Sequence, residues 1–297
     1  MTPDSLNGPT LQKICQDACS SVPDSDFSHP HANVLGVRVS ALDLPWAVAL
    51  ADRWIRLAKG YAYVCVTGVH GVMEANADAD VHRILNRALI NAPDGMPMTW
   101  IGHLQGFRFM DRVFGPDLMA ALCQLSVERG YRNFLYGGET GVAEFLGESL
   151  QKRFPGLQVV GTYTPPFRSL TPEEEESLLA QVRDSRPHLL WVGLSTPKQE
   201  RFMAQYVHRL QVPLLVGVGA AFDFHTGRVR DSADWVKRAG LQWLHRLIQD
   251  PKRLWRRYLR NNPAFLWNVA CQFMRLRSYP RETEEPDDGA PHAEKLT

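Results

Sequence analysis

The sequence lacks the features of a disulfide scaffold and of a membrane-spanning protein. Its 297 residues include only five cysteines, an odd number at irregular spacing, which indicates free thiols in a reducing compartment. No run of about 18 apolar residues is present for a spanning helix, and no basic segment followed by an apolar one marks the N-terminus. We therefore expect neither disulfides nor transmembrane helices nor a signal peptide.

A large excess of charge of one sign is also missing. The 33 Lys and Arg residues against 32 Asp and Glu give a net charge of +1, so nucleic acid is not expected as a partner. With 44% hydrophobic and 22% charged residues the chain is not of a disordered class. The charge is unevenly placed, however, because ten Lys or Arg between Lys237 and Arg277 stand against one acid, Asp250.

What the sequence contains, between residues 34 and 234, is an alternation of short apolar runs with helical patterns. Strands are predicted over Val34–Leu42, Tyr61–Val66, Met98–Ile101, Asn133–Tyr136, Leu157–Tyr163, Leu189–Val192 and Leu214–Val218. Helices are predicted over Trp46–Lys59, Ala79–Ile90, Pro116–Arg129, Val142–Phe154 and Pro172–Ser185, and from Lys198 onward. This alternation with short loops predicts an α/β fold, a mainly parallel sheet wrapped by helices.

Three segments flank this predicted core of residues 34–234. Residues 1–33 are polar and are predicted to form a disordered lead with one short helix near residues 11–18. Residues 235–277 are helical, basic and aromatic, hold four of the eight tryptophans, and form a predicted C-terminal appendage. Residues 278–297 are acidic and contain prolines, so a disordered tail is expected.

Glycines follow three of the predicted strands. The strand ends carry Gly137 with Gly138, Gly193 with Ser195, and Gly217 with Gly219. Glycine lets backbone approach a ligand, and the carboxyl ends of parallel strands gather at one edge, so these sites favour a mononucleotide or phosphate. Glycines that serve packing alone are the alternative. The dinucleotide pattern G-x-G-x-x-G is absent, which disfavours a nicotinamide dehydrogenase.

A helix N-terminus is predicted directly after one of these strands. Pro197 stands near the first helical position and Lys198 follows it, so the backbone N–H groups of Ser195 to Lys198 are expected to be free for a phosphate. An ordinary strand–helix turn is the alternative.

Two carboxylates and one histidine lie at strand–helix junctions. Asp94, in Pro-Asp-Gly, suits a general base, although a turn aspartate is the ordinary meaning of this sequence. Asp223 suits the hydroxyls of a ribose, with a helix cap or a salt bridge as the alternative. Neither belongs to a D-x-D pair, so no metal and no cofactor is predicted. His70 is expected across the crevice from Asp94 as a sugar- or acceptor-contacting group, or else as a packed or solvated histidine.

The appendage interleaves arginines with large apolar side chains. Its cations include Arg246, Arg253, Arg256, Arg257 and Arg260, and its apolar residues include Trp243, Leu247, Trp255, Tyr258 and Trp267. This pattern suits an interfacial helix on an anionic membrane, or a set of arginines that clamp a diphosphate. A packing helix with a solvated basic face is the alternative.

Seven segments, in this order, resemble the WecG/TagA/CpsF glycosyltransferases. They are Val66-Thr67, Pro93-Asp94-Gly95-Met96-Pro97, Arg112-Val113-Phe114-Gly115-Pro116-Asp117-Leu118, Leu135-Tyr136-Gly137-Gly138, Pro197-Lys198-Gln199-Glu200, Gly217-Val218-Gly219-Ala220-Ala221-Phe222-Asp223, and Gly240-Leu241-Gln242-Trp243-Leu244-His245-Arg246-Leu247. The resemblance covers roughly residues 34 to 258, and Pro-Lys-Gln-Glu and Pro-Asp-Gly are its most specific motifs.

The resemblance implies a Rossmann-like core that carries out an inverting transfer of a sugar from a UDP-sugar, often UDP-N-acetylmannosamine. The implied acceptor is a sugar on an undecaprenyl diphosphate lipid, and the appendage is implied to meet the cytoplasmic membrane face as a peripheral contact. The oligomeric state stays open. A protein that binds a UDP-sugar without transferring it is the alternative function.

The same resemblance assigns roles to individual residues. It implies that Asp94 is the catalytic base and that Thr67 helps to shape its site. It implies that Gln199 and Asp223 hold the nucleotide, with Phe167 or Tyr163 stacked on the uracil. The further donor-binding residues expected from the strand-end glycines and the helix N-terminus are Gly137, Gly138, Gly193, Gly219 and Lys198. The arginines implied to meet the acceptor diphosphate are Arg246, Arg253, Arg256 and Arg257.

The chain departs from the family pattern after the second predicted strand. Many members read Thr-Pro-Asn there, whereas this chain reads Thr67-Gly68-Val69-His70. We therefore expect His70 to take the place of the asparagine in sugar recognition. The donor sugar is then N-acetylmannosamine, glucose, a uronic acid or a related hexose.

Overall fold

A six-stranded parallel sheet forms the centre of the molecule, whose computed structural model describes residues 10–15 and 27–280. The strands are β3 (Ala62–Thr67), β4 (Ile90–Pro93), β5 (Arg132–Gly137), β6 (Gln158–Tyr163), β7 (Leu189–Gly193) and β8 (Leu214–Gly217), in the order β4-β3-β8-β7-β5-β6. The predicted α/β class and its Rossmann-like arrangement are confirmed.

Helices cover both faces of this sheet. Those of the core are Leu44–Leu57, Val69–Ala77, Ala79–Asn86, Met96–Leu104, Gly115–Arg129, Val142–Arg153, Pro172–Ser185, Lys198–Leu210 and Ala221–His225. Successive strand residues point to opposite faces, and in β7 Leu189 and Trp191 enter one apolar cluster while Leu190 and Val192 enter the other. Because strands buried on both faces need apolar residues at every position, these runs are continuous instead of alternating.

The first predicted strand, Val34–Leu42, is a hairpin. Its strands β1 (His31–Val34) and β2 (Val37–Ser40) pair antiparallel in a separate two-stranded sheet. Leu35 and Gly36 connect them with φ values of 54° and 87°, and positive φ at both central residues is what a tight hairpin turn requires. Gly36 is the residue in this segment that indicates a turn. The apolar residues on both sides of it resemble one continuous strand, so the turn was not predicted.

A second correction concerns the segment around Asp94. The helix predicted over Ala79–Ile90 ends at Asn86, and β4 begins at Ile90, while the segment predicted as the strand Met98–Ile101 lies in helix Met96–Leu104. The apolar residues of the short, fully buried β4 continue the helical spacing of the preceding stripe, so periodicity alone could not separate them. Asp94 consequently follows a strand directly.

The appendage consists of helices Asp234–Arg238, Gln242–Gln249 and Pro251–Phe273. Its long helix is fastened to the hairpin, because Gln272 accepts a hydrogen bond from the Leu35 N–H (3.0 Å) and donates one to the Asn33 carbonyl oxygen (2.9 Å). No helix among the described residues has both the length and the apolar character needed to cross a bilayer.

The predicted disordered segments fall mostly outside the described residues. Of the lead, residues 1–9 and 16–26 lie outside them, as do residues 281–297 of the tail. Residues 10–15 are helical, and Leu11 and Cys15 are buried in the core. The boundaries drawn at residues 33, 234 and 277 stay predictions.

One stability prediction follows from the packing of the strand ends. Gly137 has φ of 124°, and a Cβ there would lie 2.6 Å from the Gly193 carbonyl oxygen, a backbone atom that cannot move aside. Gly137→Ala should therefore lower the free energy of unfolding by about 1–3 kcal/mol in urea titrations.

Gly147 is the matched control for that substitution. It lies inside helix Val142–Arg153, where an added Cβ makes only ordinary contacts at 3.4 Å or more. Gly147→Ala should leave stability unchanged or raise it by about 0.5–1 kcal/mol. Equal effects of the two substitutions on stability would show that the Gly193 carbonyl oxygen does not exclude a side chain at residue 137.

Candidate functional site

The carboxyl edge of the sheet gathers most of the predicted site residues. Thr67 pairs with Pro93, Cys65 and Val192 both pair with Gly217, and Gly137 pairs with Gly193, so all these strand ends lie side by side. From the end of β4 to the end of β5 there are four inter-strand spacings, about 19 Å in total. An extended ligand can therefore lie across this edge and touch several strands at once.

Asp94 is held directly beside Thr67. Its N–H donates to the Thr67 carbonyl oxygen over 2.9 Å, which carries the ladder between β3 and β4 one residue beyond the last strand position. A Cβ at Gly68 would lie 2.9 Å from the Asp94 carbonyl oxygen, so the two strand ends approach closely only because residue 68 is glycine. Thr67 itself is buried, and its hydroxyl has no hydrogen-bond partner among the described residues.

Opposing influences set the pKa of Asp94. Burial of the carboxyl raises the pKa, the positive charges of Arg112 and Arg246 lower it, and the negative charge of Asp117 raises it. Burial is the largest of these, so the net direction is upward. A carboxylate whose pKa is raised above its ordinary value is better suited to accept and hold a proton.

Arg112 lies near Asp94, and the sequence alone predicted no role for it. One guanidinium nitrogen donates to the Gln242 side-chain oxygen over 2.8 Å, and its Cζ lies 4.7 Å from the centre of the Phe114 ring. The Val113 N–H donates to the Pro93 carbonyl oxygen (2.8 Å), which fixes this loop beside Asp94. Arg112 lies in one of the quoted motifs, yet the path of a loop across the sheet edge cannot be read from sequence.

His70 faces the appendage. Its Nδ1 lies 3.0 Å from the Asn261 side-chain nitrogen, and it also has a hydrogen bond with the backbone of Thr196. Burial lowers the pKa of His70 to about 4, helped by the positive charge of Arg257, so the ring is neutral at neutral pH. His70 therefore joins the end of β3, the loop after β7 and the long appendage helix at one point.

The glycines at the strand ends are packed against one another and against Phe222. A Cβ at Gly193 would lie 2.5 Å from the Phe222 ring, and one at Gly138 would lie 2.9 Å from Val142. Packing thus accounts for the missing side chains at these positions. A role of their backbone in holding a ligand stays a prediction.

The amides at the start of helix Lys198–Leu210 are not free as predicted. The N–H groups of Lys198 and Gln199 both donate to the Ser195 carbonyl oxygen, over 2.8 and 3.2 Å. The turn that leads into the helix therefore satisfies the Lys198 N–H, one of the donors predicted to be free for a phosphate, together with the N–H of Gln199. The Lys198 side chain remains exposed at this corner.

Gln199 and Glu200 form a buried polar pair behind that corner. The Gln199 amide donates to Glu200 Oε1 over 2.9 Å, and the Thr196 hydroxyl donates to the same oxygen over 2.9 Å. Gln199 Oε1 and Glu200 Oε2 are buried without a hydrogen-bond partner among the described residues. Burial raises the pKa of Glu200, and Gln199 lies against Gly217 and Gly219 at the end of β8.

The residues predicted to hold the base and ribose lie in different surroundings. Phe167 is 91% exposed, whereas the Tyr163 ring stacks on Tyr136 with centroids 5.8 Å apart. Only Phe167 is therefore available to a ligand without breaking existing packing. Asp223 lies in the short helix Ala221–His225 that follows β8 and is partly buried.

The four appendage arginines separate into two settings. Arg246 influences Asp94, and Arg257 influences His70, so both face the core; Nε of Arg257 is buried without a partner among the described residues. Arg256 is exposed and lies over the Trp255 ring at 5.2 Å. The Arg253 side chain lies outside what the structure describes.

Comparison with known proteins identifies the family. A family model described as the glycosyl transferase WecG/TagA/CpsF family matches residues 32–279, and the chain belongs to this family. An enzyme of Bacillus subtilis (strain 168) named N-acetylglucosaminyldiphosphoundecaprenol N-acetyl-beta-D-mannosaminyltransferase is 28% identical over 183 residues, 61% of this chain and 69% of its own. An enzyme of the same name from Bacillus spizizenii (strain W23) is 27% identical over 219 residues, covering 74% and 82%.

Glu200 gives a prediction that distinguishes a neutral from a charged carboxyl. Its folded-state pKa is raised above the ordinary value of 4.5, so its contribution to stability is full below pH 4.5 and is lost as the pH rises towards the folded-state pKa. Glu200→Gln cannot ionise, and it should lose less stability than the wild type in urea titrations between pH 4.5 and pH 8.

Glu200→Ala supplies the comparison. It removes the acceptor of the Thr196 hydroxyl and the Gln199 amide, and should cost about 1–3 kcal/mol of stability at every pH. If the wild type and Glu200→Gln show the same pH dependence, Glu200 is not a buried acid of raised pKa.

Proposed function

We propose that the protein is an inverting glycosyltransferase. It moves a hexose, N-acetylmannosamine, glucose or a related sugar, from a UDP-sugar to a sugar linked to undecaprenyl diphosphate, in the synthesis of a cell-surface polysaccharide. The observation that carries the proposal is Asp94, a carboxylate of raised pKa at the carboxyl edge, facing one arginine of the core and one of the appendage. The names of the two relatives supply the class of acceptor.

In the proposed reaction, Asp94 acts as the general base. It takes the proton from the acceptor hydroxyl while that oxygen attacks the anomeric carbon of the donor sugar. The bond between this carbon and the β-phosphate oxygen breaks, and UDP leaves from the opposite face with the bonding electrons. One attack with one departure inverts the anomeric configuration. Asp94 then holds the proton until it passes to water, and its raised pKa suits this task.

Donor binding is assigned to the corner where β7 and β8 end. Gln199, with a buried oxygen that lacks a partner among the described residues, and Gly219 beside it would hold the nucleotide, and Asp223 would accept the ribose hydroxyls. Lys198 would meet the phosphates with its side chain, since its N–H is already bonded. Phe167 would stack on the uracil. No metal and no cofactor is part of this proposal.

Sugar and acceptor recognition are assigned to the surface between core and appendage. His70, neutral and fixed by the appendage, would contact the donor sugar, with Thr67 shaping the same site. Arg246 and Arg257, which face the core, would meet the acceptor diphosphate, with Arg253 and Arg256 beside them. The protein would work in the cytoplasm, as a peripheral protein on the inner face of the cell membrane.

A protein that binds a UDP-sugar without transferring it remains the competing function. Such a protein has no use for a carboxylate whose pKa is raised by burial next to two arginines. Release of UDP from a panel of UDP-sugars, measured with a short-chain lipid diphosphate sugar as acceptor, separates the two functions and identifies the donor.

One prediction tests whether Asp94 is the general base. Asp94→Asn keeps the shape of the side chain but cannot take up the proton, so turnover should fall by about 10²–10⁴-fold or more. UDP affinity, measured by quenching of tryptophan fluorescence, should stay unchanged. Asp184→Asn, an exposed carboxylate in helix Pro172–Ser185, is the control and should turn over like the wild type. Near-normal turnover of Asp94→Asn removes it from the mechanism.

Another prediction concerns the pH dependence of kcat/KM. The positive charge of Arg112 lowers the pKa of Asp94, so Arg112→Met should raise that pKa further. Because the base must be ionised, the acid limb of the profile of kcat/KM against pH should move to higher pH. Arg112→Lys should move it less.

Arg183→Met serves as the control for that experiment. Its side chain is 74% exposed in helix Pro172–Ser185, and its loss should leave the acid limb in place. An unshifted limb in Arg112→Met would show that Arg112 does not act on the base.

A further inference from the structure

A second exposed apolar surface lies on the core, next to Asp94 and outside the appendage. Helix Met96–Leu104 begins two residues after Asp94, and the loop behind it runs to Met110. Trp100, Leu104 and Phe109 are 46%, 72% and 50% exposed; we refer to these three residues as the core ridge. Large apolar side chains clustered in this way mark a surface that is covered in the working protein.

The charge of this segment indicates what covers it. Residues Gly95 to Met110 contain no Asp or Glu, and Arg108 and His103 are both exposed. The appendage shows the same composition, with ten Lys or Arg against one acid between Lys237 and Arg277. Arg108 lies among the apolar residues of this segment, while the exposed acid Asp111 lies just beyond it. An apolar surface that carries a cation is complementary to lipid chains beneath anionic headgroups.

The core ridge is continuous with the apolar surface of the appendage. A Cβ at Gly240 would lie 2.7 Å from the Trp100 ring, so this ring rests on the appendage backbone just before helix Gln242–Gln249. The hydrogen bond from Arg112 to Gln242 fastens the two parts at the same place. The exposed apolar residues that continue the surface are Leu241, Trp243, Leu244 and Ile248, with exposed fractions of 37% to 72%.

We propose that the core ridge enters an anionic lipid surface together with the appendage, so that the catalytic core itself contacts the membrane. This proposal rests on the proposed function, because it assumes that the acceptor sugar is linked to a membrane lipid. Helix Met96–Leu104 has nine residues and is therefore about 13 Å long. Asp94 therefore lies at most slightly more than one helix length from Leu104, within the reach of a sugar diphosphate that projects from the headgroups.

The test uses the full chain and vesicles of equal parts phosphatidylethanolamine and phosphatidylglycerol. The double variant Leu104→Gln and Phe109→Gln removes the most exposed part of the core ridge and leaves Trp100 on Gly240. Both side chains lose most of the gain from burial in lipid, so co-sedimentation with vesicles should weaken about tenfold or more. Transfer to a short-chain, water-soluble acceptor should be unchanged, and transfer to the full-length lipid in vesicles should fall.

The matched control carries the same change of chemistry on other faces. Phe145 and Leu57 are 52% and 42% exposed, on helices Val142–Arg153 and Leu44–Leu57. The double variant Phe145→Gln and Leu57→Gln should bind vesicles like the wild type. Equal vesicle binding by the core-ridge variant and the wild type overturns the proposal, as does an equal loss in the control variant.

Light scattering on the eluting protein tests whether a second copy of the chain covers the core ridge instead of lipid. If the core-ridge variant changes a dimer into a monomer while vesicle binding stays the same, the surface is covered by a second copy and the proposal is wrong. If the wild type releases no UDP from any UDP-sugar while its vesicle binding still depends on Leu104 and Phe109, the result contradicts the proposed transferase activity and supports lipid binding by the core ridge.

Discussion

The balance of charges at Asp94 is the constraint on which the rest of the structure depends. Burial of this carboxyl raises its pKa, whereas the positive charges of Arg112 and Arg246 lower it. One arginine belongs to the core and the other to the appendage. The electrostatic environment of the proposed base is therefore complete only when the appendage lies where the structure places it, and the appendage becomes part of the site instead of an accessory to it.

Side-chain amides fasten the appendage in that position. Gln242 accepts from Arg112, Asn261 meets His70, and Gln272 bonds the hairpin at Asn33 and Leu35. Amides do not titrate, and their hydrogen bonds are less sensitive to ionic strength than exposed ion pairs are. The appendage is thus held in place by contacts in which at least one partner is an uncharged amide.

The elements that sequence predicted well are those whose signals are local. The helix Pro172–Ser185 has a capping box at Thr171 and Glu174, and Gly130 ends the helix Gly115–Arg129 in the left-handed conformation, so both sets of bounds could be read directly. The short strand β4 could not be found, because four buried residues after an amphipathic helix have no period of their own. Asp94 was singled out by its motif, but Arg112 and Glu200 received no roles because their meaning depends on neighbours far away in sequence.

The contacts of Asn33 tie together three distant parts of the chain. Its backbone N–H and carbonyl oxygen bond the Gln105 side chain over 2.8 and 2.7 Å, and its side-chain amide donates to the Tyr279 carbonyl oxygen over 2.9 Å. Residues 33 and 279 are thus neighbours in space, and the long appendage helix cannot swing away as a flap without tearing this junction apart. The short helices Asp234–Arg238 and Gln242–Gln249 take no part in this junction, so their attachment to the core depends on other contacts, such as the hydrogen bond between Arg112 and Gln242.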